Sequence, residues 1–161
     1  MRRQFPSSFF CVCDLLYFLY IINHIYYNNS RMTQMLLDKN KVKQMNPLVL
    51  AFVGDAVETL RVRTRFALTS GEKAHALHEK TSSEVNAKAQ SEQAEKVLPF
   101  LTEEESEIYH RARNCKSRHH AKNFSVADYR RASGLEAVIG YLYLTGEEAR
   151  LNALFDLMEK V

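Results

Sequence analysis

From residue 46 onward, apolar residues recur every three or four positions, in segments separated by Gly, Pro, Ser, Thr or Asn. That spacing builds helices with one buried face. No segment alternates with period two, so strands are not expected. Asn46-Pro47 is a helix start: Asn accepts bonds from the first free N–H groups, and Pro suits the first helical position. The helix it opens is expected to run to about Leu68, with Thr69-Ser70-Gly71 ending it. A short helix follows over about 74–80. Ser82 or Ser83 is the expected cap of the next, which runs to about Val97, before Pro99. Thr102 and Glu105 form a capping box for a helix to about Asn114. A basic stretch over 115–124 has no clear period. Ser125 caps a helix over 126–144, stopped by Thr145-Gly146, and a last helix covers 147–159. The pattern predicts an all-α bundle without internal repeats.

The first thirty-one residues read differently. They are rich in Phe, Tyr, Ile and Asn, and an apolar run over 9–22, broken by Asp14, follows Arg2 and Arg3. A signal peptide would carry small residues near its cleavage site, and 23–30 has none before Ser30. As a membrane span the run is short of the ~20 residues a bilayer needs. A start at Met32 or Met35, with AT-rich upstream DNA read through, accounts for this composition. A membrane-associating tail and an additional helix are the other readings. Residues 1–31 are therefore set apart as an atypical extension. Residues 32–45 are a polar lead-in with helical potential, and 46–161 form the domain proper. No membrane contact is expected if the extension is not translated.

Length confines the chain to one domain or little more. The net charge of +3 decides no partner, but its distribution is uneven. Seven Lys/Arg stand against Asp128 alone over 111–131, and six Glu against Lys96 alone over 92–107. Such a chain presents an asymmetric surface. Three cysteines, two of them at positions 11 and 13, form no disulfide framework, which fits a reducing compartment. His119 and His120 are adjacent and point apart on a helix, so they read as basic-loop residues rather than metal ligands.

Two segments are nearly apolar all round, the mark of central helices. Each carries a single charge: Asp55 within 47–57, and Glu136 within 132–144. Phe52 and Ala51 precede Asp55 by one turn; Ala132, Ser133, Ile139 and Gly140 surround Glu136. An ionised carboxylate in such surroundings costs several kcal/mol unless a cation offsets it. Gly54 beside Asp55, and Gly134 and Gly140 around Glu136, let these helices pack closely. If they cross there, the two acids meet in a cleft. One reading is a structural ion pair with Arg61, Arg111 or Arg113. The other is a site for Mg²⁺, whose shell is one or two carboxylates completed by waters and substrate phosphates. No Ser-His-Asp or Cys-His arrangement is visible.

At these residues a family resemblance enters. Phe52-Val53-Gly54-Asp55-Ala56-Val57 resembles the signature helix of the ribonuclease III endonuclease domain. Residues 134–143, with Glu136 and Gly140, resemble its second acidic motif. Arg113-Asn114-Cys115-Lys116-Ser117 and Lys122-Asn123 resemble the basic loop of one branch, Mini-ribonuclease III. Leu77-His78 and residues 85–90 are also similar to that branch. The likeness spans 46–154.

The resemblance implies a ribonuclease III endonuclease domain-like helical bundle. It implies a homodimeric, Mg²⁺-dependent endoribonuclease, with Mn²⁺ able to substitute. Such an enzyme cuts double-stranded RNA to leave 5′-phosphate and 3′-hydroxyl ends. Asp55 and Glu136 would be its catalytic, metal-binding residues. Arg111, Arg113, Asn114, Lys116, Ser117, Arg118 and Lys122 would bind RNA. The branch lacks a C-terminal double-stranded-RNA-binding domain, and this chain stops at Val161. The branch is associated with maturation of 23S ribosomal RNA, hence with the cytoplasm. A protein of the same fold that only binds RNA or ribosomes is the alternative; loss of either acid would mark it, and both are present.

Two departures bear on the site. Full-length ribonuclease III enzymes carry a Glu where this chain has Ala51, and an Asp where it has Ser133. The Mini branch shares both losses, which leaves two carboxylates per protomer. Glu58 stands where that branch is often aromatic. Three residues past Asp55, it reads either as a solvated helix charge or as a member of the acidic cleft.

Overall fold

A computed structural model describes residues 37–115 and 125–159. The apolar run over 9–22 and the candidate RNA residues Lys116, Ser117, Arg118 and Lys122 lie outside the described residues. The described residues belong to one compact unit. They are helical throughout, with no strand among them.

Local signals set most helix starts. The short α1 (Lys39–Lys43) is capped by Asp38, whose carboxylate accepts from the N–H groups of Asn40 and Lys41. Asn46 caps α2 (Pro47–Thr69), accepting from the Leu48 N–H at 2.9 Å. The next helix, α3 (Ala74–Glu84), has no side-chain cap. Here the expected boundary moves. Ser82 and Ser83 lie inside α3, and Asn86 caps α4 (Ala87–Val97), accepting from the Lys88 and Ala89 N–H groups. The Ser83 hydroxyl instead donates to the Lys80 carbonyl, a bond that lets a serine continue a helix rather than start one. A 3₁₀ turn, Leu98–Phe100, leads to the Thr102–Glu105 capping box of α5 (Glu103–Arg113). Ser125 caps α6 (Val126–Thr145), and α7 (Glu148–Glu159) follows.

The centre of the unit is α6. Ten of its residues between Ala132 and Leu142 are buried, and it packs chiefly on α2, α4 and α5. Val42 of the lead-in is fully buried in the same core. At the start of α5, Glu105 is buried and receives Arg150 Nε at 2.8 Å and Nη2 at 2.7 Å; the same guanidinium donates to the Phe100 carbonyl. One carboxylate thus caps α5 and fixes α7 to it.

The other expected central helix is central on one side only. On α2, Leu50, Ala51, Gly54, Glu58 and Val62 form the buried stripe. Val49, Phe52 and Leu60 lie exposed on the opposite side, Phe52 at 77 %. A helix apolar all round is fully buried only if something covers every face, and within the described residues nothing covers this one. No described helix is long and apolar enough to cross a membrane.

Where α2 meets α6, backbone touches backbone. A Cβ placed on Gly54 would lie 1.8 Å from the Glu136 carbonyl oxygen; one on Gly140 would lie 2.1 Å from the Leu50 carbonyl oxygen. Neither obstacle is the end of a side chain that could swing aside. Gly140→Ala is therefore expected to push the helices apart. Its cost should lie at the upper end of the ~1–3 kcal/mol of overpacking, beyond the ~1 kcal/mol that alanine gains in helix propensity. Urea unfolding measures it; an unchanged midpoint would mean the helices separate freely.

Candidate active site

The glycine crossing places the two lone acids in one neighbourhood. Asp55 follows Gly54, and Glu136 belongs to the turn of α6 that Gly54 touches. Their charges interact. Desolvation first, then the negative charges of Asp55 and Glu58, push the Glu136 carboxyl up to about 8, against a hydrogen bond from Gln90 that lowers it. Asp55 and Glu136 thus lie within electrostatic reach of each other across the crossing.

Their burial is not what the sequence suggested. Asp55 is exposed, because the apolar residues Phe52 and Ala56 beside it are themselves uncovered. Glu136 is half-buried. The acid inside is Glu58, at 2 % exposure, which corrects its reading as a solvated helix charge. It lies on the same stripe of α2 as Gly54, while Asp55 is rotated about 100° away from that glycine. The Gln90 amide of α4 donates to Glu58 Oε2 at 2.9 Å. Burial still dominates and raises the Glu58 carboxyl to about 7; the Gln90 bond opposes the rise, and Asp55 and Glu84 add to it.

No described basic side chain pairs with Asp55, Glu58 or Glu136. The three arginines that could have formed a structural ion pair make their described contacts with other groups. Arg61 lies over the Phe155 ring and reaches Glu159 at 3.2 Å and Asp156 at 3.8 Å. Arg111 donates to the carbonyls of Lys43 at 2.5 Å and Met45 at 3.0 Å. Arg113 is exposed and forms no ion pair among the described residues. Among the described residues, no basic side chain compensates the negative charge of the cluster. Among the described residues no three His, Cys, Asp or Glu side chains form a closed metal cage. An exposed and a half-buried carboxylate are nevertheless the kind of donor set that suits Mg²⁺, which keeps several of its waters.

Of the candidate RNA residues, Arg111, Arg113 and Asn114 stand at the basic end of α5. Its last turn holds His110, Arg111 and Arg113, and Arg113 and Asn114 are exposed. Arg111 has given two donors to the end of the lead-in. Beyond the undescribed segment the chain is again tied down. Ser91 donates to Asp128 Oδ1 at 2.9 Å, and Ser125 to Asp128 Oδ2 at 2.5 Å. Arg131 bonds both Ser91 and Asp128. The Ser125 and Ser91 hydroxyls, then Arg131, hold the Asp128 carboxyl below its usual range.

Comparison with known proteins decides the family. The Ribonuclease III domain family matches residues 48–147, a span that contains both acids. The chain belongs to the ribonuclease III family. Within it, the chain is 44 % identical over 126 residues to a Mini-ribonuclease 3 of Thermoanaerobacter sp. (strain X514), covering 78 % of this chain and 89 % of that protein. It is 46 % identical to the Mini-ribonuclease 3 of Clostridium tetani, over 74 % of this chain and 80 % of the relative. A crystal structure of a protein from Fusobacterium nucleatum matches with a TM-score of 0.66 and 33 % identity, covering 73 % of this chain and 93 % of that one. These relatives put it in the Mini-ribonuclease III branch, as an endoribonuclease on the all-helical fold of that family.

Sequence reasoning did not single out Gln90, and it left Glu58 open. The available signal was the stripe 51-54-58-62, which puts Glu58 on the side marked by Gly54.

The raised carboxyls have a measurable consequence. Native Glu58 and Glu136 hold protons more tightly than in the unfolded chain. Their contribution is fully present below about 4.5 and is lost as pH rises through about 7 and about 8. Thermal unfolding in EDTA should show the melting temperature falling across that window, less steeply in Glu136→Gln. A flat profile in the wild type would mean the acids are better solvated or paired than described.

Proposed function

We propose that this endoribonuclease hydrolyses phosphodiester bonds in double-stranded RNA, with Mg²⁺ or Mn²⁺ held by Asp55 and Glu136. The observation that carries the reading is the meeting of these two acids at the Gly54–Gly140 crossing, with no described cation to neutralise them. When bound, a divalent ion supplies a Lewis acid that eases deprotonation of water and offsets the charge developing on phosphorus. The protein's part is positional. Asp55 offers an exposed carboxylate, Glu136 a half-buried one, and the tight helix crossing fixes the spacing between them. Water attacks phosphorus in line, the bond from phosphorus to the 3′ oxygen breaks, and the products carry 5′-phosphate and 3′-hydroxyl ends.

Arg113, Asn114 and the chain positions Lys116, Ser117, Arg118 and Lys122 would hold phosphates across the grooves, with Arg111 offering its remaining N–H donors. A-form RNA is recognised mostly by shape and 2′-hydroxyls, so sequence preference should be modest. Binding should weaken steeply with salt. The resemblance to the Mini branch supports a duplex in precursor 23S ribosomal RNA as the natural substrate, and the cytoplasm as its place. Asp55→Asn and Glu136→Gln should each slow Mg²⁺-dependent shortening of a long duplex by about a hundredfold or more, the scale of several kcal/mol of lost charge stabilisation. RNA retention in a gel shift should survive. Cleavage at the wild-type rate in either variant would end this reading.

We also infer a homodimer built on α2. Val49, Phe52 and Leu60 form an apolar stripe opposite the buried one, and the resemblance supports a second copy as its cover. Two copies would set two sites on opposite strands of the duplex. Phe52→Asp should convert a species of twice the chain mass to a monomer by light scattering. An unchanged mass would place the interface elsewhere.

A further inference from the structure

We propose that Glu58, held by Gln90, is a third carboxylate of the Asp55–Glu136 site, one that acts on the bound divalent ion through its charge and through a water of the ion's shell. This rests on the divalent-ion reading above. Three observations support it. First, Glu58 is almost fully buried on the stripe of α2 that faces α6, beside the helix crossing. Second, its charge is felt by Glu136, and it feels Asp55 in turn. Third, its one described hydrogen bond, from Gln90 to Oε2, comes from a neutral donor, itself buried.

The neutral donor matters. A lysine or arginine in that place would cancel the charge. An amide fixes the carboxylate and leaves its charge available. Oε1 accepts no bond from a described residue, so it has capacity for a water proton. The three acids are not placed to hold an ion together, and Glu58, the most buried of them, would act from behind Asp55 and Glu136. Groups so placed orient ligands and waters, and their loss typically lowers metal affinity ten- to a hundredfold.

The competing role is structural. Glu58 also lines a cavity of about 20 Å³ with Arg61, Gln93 and Phe155, a volume on the scale of one water. Through it Glu58 could serve only to join α2, α4 and α7.

Binding of Mn²⁺ to the full chain, followed at fixed pH by the electron spin resonance signal of the free ion, separates these roles without any turnover. Glu58→Gln preserves volume and a partner for Gln90. It should weaken Mn²⁺ binding about ten- to a hundredfold, with Glu58→Asp intermediate between it and the wild type. Asp55→Asn and Glu136→Gln should abolish saturable binding. Glu58→Gln within twofold of the wild type, while the other two lose the ion, overturns the role of Glu58 alone; a lowered melting temperature in EDTA would then assign it to the structural junction. If all three variants bind as the wild type does, the divalent-ion reading itself fails. Should Glu58→Gln not fold by circular dichroism, Gln90→Leu decides, since it leaves Glu58 in place but unheld. Weaker Mn²⁺ binding in that variant supports the proposal, and unchanged binding overturns it.

Discussion

Two helices touching backbone to backbone is the constraint on which the rest of this fold depends. Side chains ordinarily keep helix axes 8–10 Å apart. Glycine at positions 54 and 140 removes that spacer at the contact, so carbonyl oxygens of Leu50 and Glu136 lie where side chains would be. The close approach makes α6 a shared wall for α2, α4 and α5. It also brings residues 81 positions apart in sequence (55 and 136) within electrostatic reach.

That geometry has a cost in charge. Asp55, Glu58 and Glu136 repel one another, and desolvation adds to the cost at buried Glu58 and half-buried Glu136. An apolar side chain in place of Glu58 would avoid that cost. The chain keeps the acids and spends its arginines elsewhere: Arg61 and Arg65 on the C-terminal helix and Glu84, Arg111 on backbone carbonyls, Arg150 on Glu105. Among the described residues, no basic side chain offsets the negative well that results. Stability is set aside at the site and made up in the surrounding clamps.

The helices were legible because capping is local chemistry. Asn46 before Pro47, Thr102 with Glu105, and Ser125 each sit where their side chains accept the expected N–H. The start of α4 was not, because a serine hydroxyl bonds helical carbonyls as readily as it caps, and the choice between Ser83 and Asn86 depends on the turn geometry. Asp55 and Glu136 stood out by isolation among apolar residues. Their burial did not follow from that isolation. An apolar neighbour shields a charge only when something packs on the neighbour, and Phe52 is open. Glu58 and Gln90 come from different helices, 32 positions apart. No periodicity within either segment shows that pairing.

The clamps at the two ends of α5 carry a further implication. Arg150 secures its acidic start through Glu105, and Arg111 secures its basic end to the carbonyls of Lys43 and Met45. Across the gap, Ser91, Asp128 and Arg131 anchor the first turn of α6. The described chain thus ends before residue 116 at an anchored helix terminus and resumes after residue 124 at an anchored helix start. Freeing Arg111 or Arg131 would shift those two anchor points without altering any residue between them.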